Sequence, residues 1–150
     1  LKDLNPFFSK EFSMHYVATK ICRTSEIGLN GNLFGGTMLS WLDEAGAAFA
    51  GYLCRAPAMV TLKMDEVRFL RPVKISHHVR IYARVNKVGT TSITIDVEAR
   101  RFDFEKELEE LVCSTRMVYV KIDGEGNPVP IEERLKSMMD QSLGDLMQRL

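Results

Sequence analysis

The rhythm of apolar and polar positions divides this chain into strands, one enclosed helix and a terminal helix. Met14 to Cys22 (MHYVATKIC) alternates as a strand does. From Thr24 to Gly36 the alternation lapses into TSEIGLNGNLFGG, whose four glycines and two asparagines supply turn conformations and let the backbone approach a ligand closely. A helix is predicted from about Thr37 to Leu53. Its Met38, Leu39, Trp41, Leu42, Ala45, Ala48, Phe49 and Tyr52 are apolar around most of the circumference, with small Gly46, Ala47 and Gly51 between, which describes a helix enclosed by other structure. Asp43 and Glu44 are the only charged groups within it.

The chain is then strand-like almost to its end. Ala58 to Phe69 forms a run that breaks off at Pro72. Val79, Ile81, Ala83 and Val85 share one face while Arg80, Tyr82 and Arg84 share the other, and Ile93, Ile95, Val97 and Ala99 oppose Thr94, Asp96 and Glu98 in the same way. Lys87-Val88-Gly89-Thr90 between them implies a hairpin turn. The charged stretch Arg101 to Glu110 is expected as a solvated loop leading to a last strand, Val112 to Ile122. After Pro130, Ile131, Leu135, Met138, Met139, Leu143, Leu146, Met147 and Leu150 recur at helical spacing, predicting an amphipathic helix over about 131–149. The order predicts an α+β fold, an antiparallel sheet of about five strands wrapped around a long central helix, with a C-terminal amphipathic helix.

Length and composition narrow the setting. A chain of 150 residues suits one domain spanning 1–150, with a core over about 14–122. Its 20 basic and 20 acidic residues balance, so bulk charge points to neither nucleic acid nor an anionic membrane as partner. The longest apolar stretch, Ala45 to Cys54, falls short of the ~20 residues a membrane helix needs and is interrupted by two glycines. Cys22, Cys54 and Cys113 are odd in number and widely spaced, which fits buried thiols in a reducing compartment better than a disulfide framework or a zinc site. No secretory signal is visible, while a leader processed before Leu1 stays open because the chain does not begin with Met.

The run Asn30-Gly31-Asn32-Leu33-Phe34-Gly35-Gly36-Thr37-Met38-Leu39-Ser40-Trp41-Leu42-Asp43-Glu44-Ala45-Gly46 resembles the signature of hotdog-fold acyl-CoA thioesterases, in particular the broad-specificity cytosolic acyl-CoA hydrolases. Arg68-Phe69-Leu70-Arg71-Pro72-Val73 and Lys87-Val88-Gly89-Thr90-Thr91-Ser92 match later landmarks of that group in order, so the likeness spans roughly Tyr16 to Ile122. The resemblance implies a hotdog fold, a cytoplasmic hydrolase that converts acyl-CoA to a fatty or carboxylic acid and CoA, and no metal or redox cofactor, CoA being part of the substrate. It implies a homodimer as the minimum unit, further assembled into a tetramer or hexamer. The alternative is a non-catalytic module that binds or senses acyl-CoA on the same fold, or a scaffold without chemistry.

Thioester hydrolysis needs a donor for the developing oxyanion and a base or nucleophile. The amides of Gly35 and Gly36 suit the first role, since N–H groups in a helix's first turn are unpaired and lie at the positive end of its dipole. The competing reading is steric, the glycines merely letting the helix start against a crowded sheet. Asp43 is a carboxylate among apolar neighbours, which needs a reason. The resemblance makes it the catalytic base or nucleophile, against a structural carboxylate bonded nearby. Glu44 lies about 100° further round the helix and so faces elsewhere. Gly35 and Asp43 are separated by about 12 Å along one helix, too far to touch one carbonyl carbon, so two antiparallel helices across a two-fold axis are required.

Asn30 is favoured as a holder of water or the substrate carbonyl, and Asn32 as a helix cap. Arg68, Arg71, Lys87 and the backbone of Gly89, Thr90 and Thr91 are the candidates for CoA phosphates, although each singly also suits an ordinary edge or turn role. The resemblance brings the CoA nucleotide near the Lys-Val-Gly turn. His15, His77 and His78 assemble into no believable catalytic or metal set, and the His-Phe-Pro-like context of hotdog dehydratases is missing.

Overall fold

Five strands and one long helix organise residues 14–137, the part of the chain described by a computed structural model. In chain order they are β1 (His15–Ile21), a single 3-10 turn (Thr24–Glu26), α1 (Gly35–Cys54), β2 (Met59–Phe69), β3 (His78–Val88), β4 (Ser92–Asp103) and β5 (Leu108–Lys121). The strands pair antiparallel in the order β1-β3-β4-β5-β2, leaving β1 and β2 at the edges. The predicted sheet around a central helix is what forms.

Period-two alternation sets the face of each strand. Ile93, Ile95, Val97 and Ala99 of β4 lie opposite Tyr119, Met117, Thr115 and Cys113 of β5, and all eight are buried. Onto this surface α1 lays Met38, Trp41, Leu42, Ala45, Phe49 and Leu53, a stripe at helical spacing that is buried throughout. The expectation of a helix enclosed all round is met on this side only. Ser40, Glu44, Ala48 and Tyr52 stay exposed on the other, so within one chain α1 is a two-faced helix.

The segment Arg101 to Glu110, expected as a loop, is instead mostly strand: β4 continues to Asp103, β5 begins at Leu108 and only residues 104–107 turn. Glu105, Lys106 and Glu107 stay exposed in that turn, while the charges carried on the strands are paired across the sheet. Glu109 accepts from Arg80 at 3.0 Å and from the Tyr82 hydroxyl, and Glu110 pairs with Arg101 and, at 2.8 Å, with Arg71. Opposite-charge cross-strand pairs of this kind stabilise a ladder, whereas composition alone reads them as a loop. Likewise Lys87 and Val88 belong to β3, and the predicted hairpin turn narrows to residues 89–91.

Cys22, Cys54 and Cys113 are free and buried, and burial pushes the Cys54 and Cys113 thiols up to about 11, away from the reactive thiolate form. Of the predicted terminal helix, residues 133–137 are helical, with Ile131 and Leu135 buried against the core. Met138 to Leu150 lie outside the described residues.

On the outer face, Asp96 accepts from Arg84, Asn86 and Arg116. Burial works against its charge, but these three donors outweigh it and hold the carboxyl below the usual carboxylate range. A depressed folded value means the cluster stabilises at neutral pH and loses that contribution as pH falls through the folded value. Thermal melts should therefore show midpoints dropping below about pH 4, and Asp96→Asn should lower the neutral midpoint while flattening the acid slope. An acid slope unchanged in the variant would remove Asp96 from the account.

Candidate active site

The start of α1 is presented by a short braced loop. Ile27 bridges Leu33, Gly28 N–H donates to Asn32 O at 2.7 Å, Leu33 N–H to Val73 O at 2.7 Å and Phe34 N–H to Glu26 O at 2.9 Å. Phe34 is the N-cap, and no side chain caps the helix. Asn32, expected as the cap, instead accepts from Lys74 Nζ at 3.5 Å through its side chain. Thr37 and Met38 both donate to Phe34 O, whereas the amides of Gly35 and Gly36 meet no acceptor among the described residues. They are orphan donors at the positive end of a 20-residue helix.

The two glycines differ in why they lack a side chain. A methyl on Gly36 would run into the Phe34 ring, a packing reason. At Gly35 the nearest atom to such a methyl would be the Phe69 ring at 3.5 Å, ordinary contact, so packing inside the chain does not demand glycine there. Gly35 opens onto a cleft of roughly 680 Å³ whose walls include Asn30, Met38, Phe69, Leu70 and Arg71. The cleft is mostly apolar, with Asn30 exposed at its edge.

Asp43 is half-buried where α1 crosses the inner face of the sheet. Thr61 of β2 donates its hydroxyl to Asp43 Oδ1 at 2.6 Å. The Tyr119 hydroxyl reaches the same residue from β5, at 3.0 Å from its backbone carbonyl and 3.3 Å from Oδ1. Burial first, then the Asp43 carboxylate, push the Tyr119 phenol well above its ordinary range, so it stays protonated as a donor. Neither Thr61 nor Tyr119 was singled out from sequence. Their only signal there is that each falls in a run of strand residues, which does not say what it meets. Glu44 turns away, as the helical angle requires, and pairs with Lys20 at 3.1 Å.

The remaining candidates do not converge within one chain. Asp43 is absent from the Gly35 cleft. Arg71 lines that cleft but is engaged by Glu110. Arg68 borders a separate outer-face hollow of roughly 240 Å³ with Arg84, Asp96 and Arg116. Exposed Lys87 and the turn Gly89-Thr90-Thr91 lie at the far end of the sheet, where Thr90 O accepts from Ile131 N–H at 2.8 Å and Thr91 O from Lys121 N–H at 2.9 Å. Since Phe69 packs near Gly35 while Met59, at the other end of β2, pairs with Lys121, on the order of 30 Å of strand separates that turn from Gly35. Among the described residues no group of three or more His, Cys, Asp or Glu side chains could hold a metal ion, and no helix is long and apolar enough to cross a membrane.

Comparisons with known proteins agree on one family. Residues 30–107 match the sequence model of the thioesterase superfamily. The chain is 31% identical over 118 residues to the acyl-CoA thioester hydrolase YciA of Salmonella typhimurium, covering 77% of this chain and 88% of that protein. Among solved structures it is similar to a hexameric hotdog-fold thioesterase of Campylobacter jejuni, with 34% identity, a TM-score of 0.72, and 82% and 94% of the two chains covered. It is also similar to an acyl-CoA hydrolase of Staphylococcus aureus in complex with butyryl coenzyme A and coenzyme A, with 25% identity, a TM-score of 0.73, and 91% and 85% covered.

Proposed function

This chain belongs to the thioesterase superfamily and has its hotdog fold, and from that premise we propose how it hydrolyses acyl-CoA. The reaction is cleavage of an acyl-CoA thioester by water to a carboxylic acid and CoA. Asp43 takes a proton from water as its oxygen attacks the carbonyl carbon. The oxyanion that forms is received by the Gly35 amide of a neighbouring subunit, with Gly36 beside it and Asn30 holding water or carbonyl. Collapse of the tetrahedral species breaks the C–S bond, and the CoA sulfur leaves and is protonated. Water is the only co-reactant this stoichiometry needs, so the reading includes no metal or redox cofactor.

The observation that carries this reading is an unsatisfied amide pair at a helix start, of which Gly35 opens onto an apolar cleft, with a carboxylate held in place eight residues along the same helix. A donor at the site of developing charge is worth most where water is excluded. Eight residues of helix are about 12 Å, so donor and base belong to different subunits.

The chain works as a homo-oligomer with a dimer as minimum unit, and assembles as a hexamer, as its Campylobacter jejuni relative does. The β2 edge offers a route to the dimer, since among the described residues it pairs only with β5 and exposes Val60 and Leu62. Antiparallel pairing of two β2 strands about Asp65 would bring Phe69 of one subunit opposite Thr61 of the other. Gly35 packs near Phe69 and Asp43 bonds Thr61, so the same pairing would join donor to base twice over. For CoA, the cations Arg68, Arg71 and Lys87 and the backbone of Gly89, Thr90 and Thr91 are the groups we assign, drawn together from more than one subunit. Three buried free cysteines favour a cytoplasmic location.

A thiol-release assay across short, medium and long acyl-CoAs tests the activity. Release of one CoA per thioester, saturating with substrate, is the expected result. A purified oligomer that binds acyl-CoA yet releases no thiol at any chain length would be a binding module instead.

A further inference from the structure

Two donors, Thr61 and Tyr119, hold one oxygen of Asp43, and they come from different strands. Both land on Oδ1, and Oδ2 receives no donor among the described residues. The carboxylate is thereby divided into an anchored oxygen and one left for a reacting partner. Tyr119 is fully buried, and its single hydroxyl proton is shared between Oδ1 and the Asp43 carbonyl at 3.0 Å, with Met117 Sδ also within 3.2 Å. It can reach that far only because residue 46 has no side chain. A methyl on Gly46 would lie on top of the Tyr119 hydroxyl oxygen and 3.0 Å from its Cζ, inside van der Waals contact. Gly46 sits within α1, where glycine costs helix stability relative to alanine, so its presence needs a compensating reason.

Resting on the reading of Asp43 as the base, we propose that Tyr119 is a positioning residue for Asp43, admitted through the gap at Gly46, that fixes Oδ1 so that Oδ2 faces the attacking water. The hydroxyl touches no substrate. Its one proton, shared between the backbone carbonyl and the carboxylate of the same residue, favours one side-chain torsion of Asp43 and leaves Thr61 to complete the hold. The burial of the phenol serves this role, since a buried hydroxyl cannot trade its bond to Asp43 for one to solvent. Tyr119 thus contributes to turnover and not to substrate binding.

Tyr119→Phe removes the hydroxyl alone and strands no partner, because Oδ1 keeps Thr61 and the Asp43 carbonyl sits inside the helix. In the full-length assembled protein we expect kcat to fall about 10-fold, the loss appropriate to one hydrogen bond to a charged group, with KM within about twofold of wild type. Gly46→Ala should reproduce that kcat loss by driving the ring away, and should add less in the Tyr119→Phe background than in wild type. The split between kcat and KM separates positioning from packing, since a merely structural role would lower the melting midpoint or the fraction assembled instead. Wild-type kcat in Tyr119→Phe, with Asp43→Asn inactive, overturns the positioning role and leaves the base standing. A kcat loss that only tracks loss of assembled protein overturns it as well. If Asp43→Asn itself turns over normally, the underlying reading has failed and the role of Tyr119 falls with it.

Discussion

Asp43→Asn is expected to lose turnover by a factor of roughly 10²–10⁴ while keeping its fold and assembly. Asparagine matches aspartate in shape and can still accept the Thr61 and Tyr119 hydroxyls through its amide oxygen, so the hold on Oδ1 survives. What is lost is the basic oxygen on the other side. Circular dichroism and native mass spectrometry should match wild type, KM should change little, and released thiol should fall towards the uncatalysed rate. Near-normal release from a well-folded, assembled variant would sink the assignment of Asp43.

Gly35→Pro is expected to lower turnover by on the order of 10²–10³ by deleting a single amide donor. The substitution suits the position. Gly35 is the first residue of α1, where proline's missing N–H and fixed φ are tolerated, and Phe34 before it is extended at φ −62 and ψ 131, the conformation a residue preceding proline prefers. Substrate binding has to be measured beside turnover, because the proline ring also narrows the cleft. The sharper expectation comes from mixing. Asp43→Asn and Gly35→Pro subunits, each inactive alone, should form heterodimers in which one site joins intact Asp43 to intact Gly35 and the other carries both defects. Each heterodimer should recover up to about half of wild-type activity, so a random equal mixture should reach about a quarter. If subunit exchange is demonstrated by mass spectrometry and no activity returns, Asp43 works with a donor from its own chain and the shared site is wrong.

Local rules were enough for much of this molecule. The inward faces of β3 and β4 follow from alternation alone, because side chains of a strand point to opposite sides whatever the strand pairs with. The existence of α1 and the separation of Gly35 from Asp43 follow equally from helical geometry, which is why a site shared by two subunits could be proposed from sequence, whereas the helix read as enclosed all round has an exposed face. Charge, by contrast, misled: Arg101 to Glu110 looked like solvated loop because composition does not say that Glu109 will meet Arg80 and Tyr82 across the sheet.

The sequence by itself therefore determined the order of elements, the inward faces of β3 and β4 and the spacing of a helix-start glycine from an acid, since all of these are set by periodicity within one segment. Only the tertiary structure decided what each polar group meets. Thr61 and Tyr119 reach Asp43 from 18 and 76 residues away, Asn32 gives up the helix cap to bond Lys74, and the CoA candidates fall at both ends and on the outer face of the sheet. These outcomes depend on strand order and register, which bring distant residues together through the cooperative packing of the whole sheet, and no local pattern encodes such a meeting.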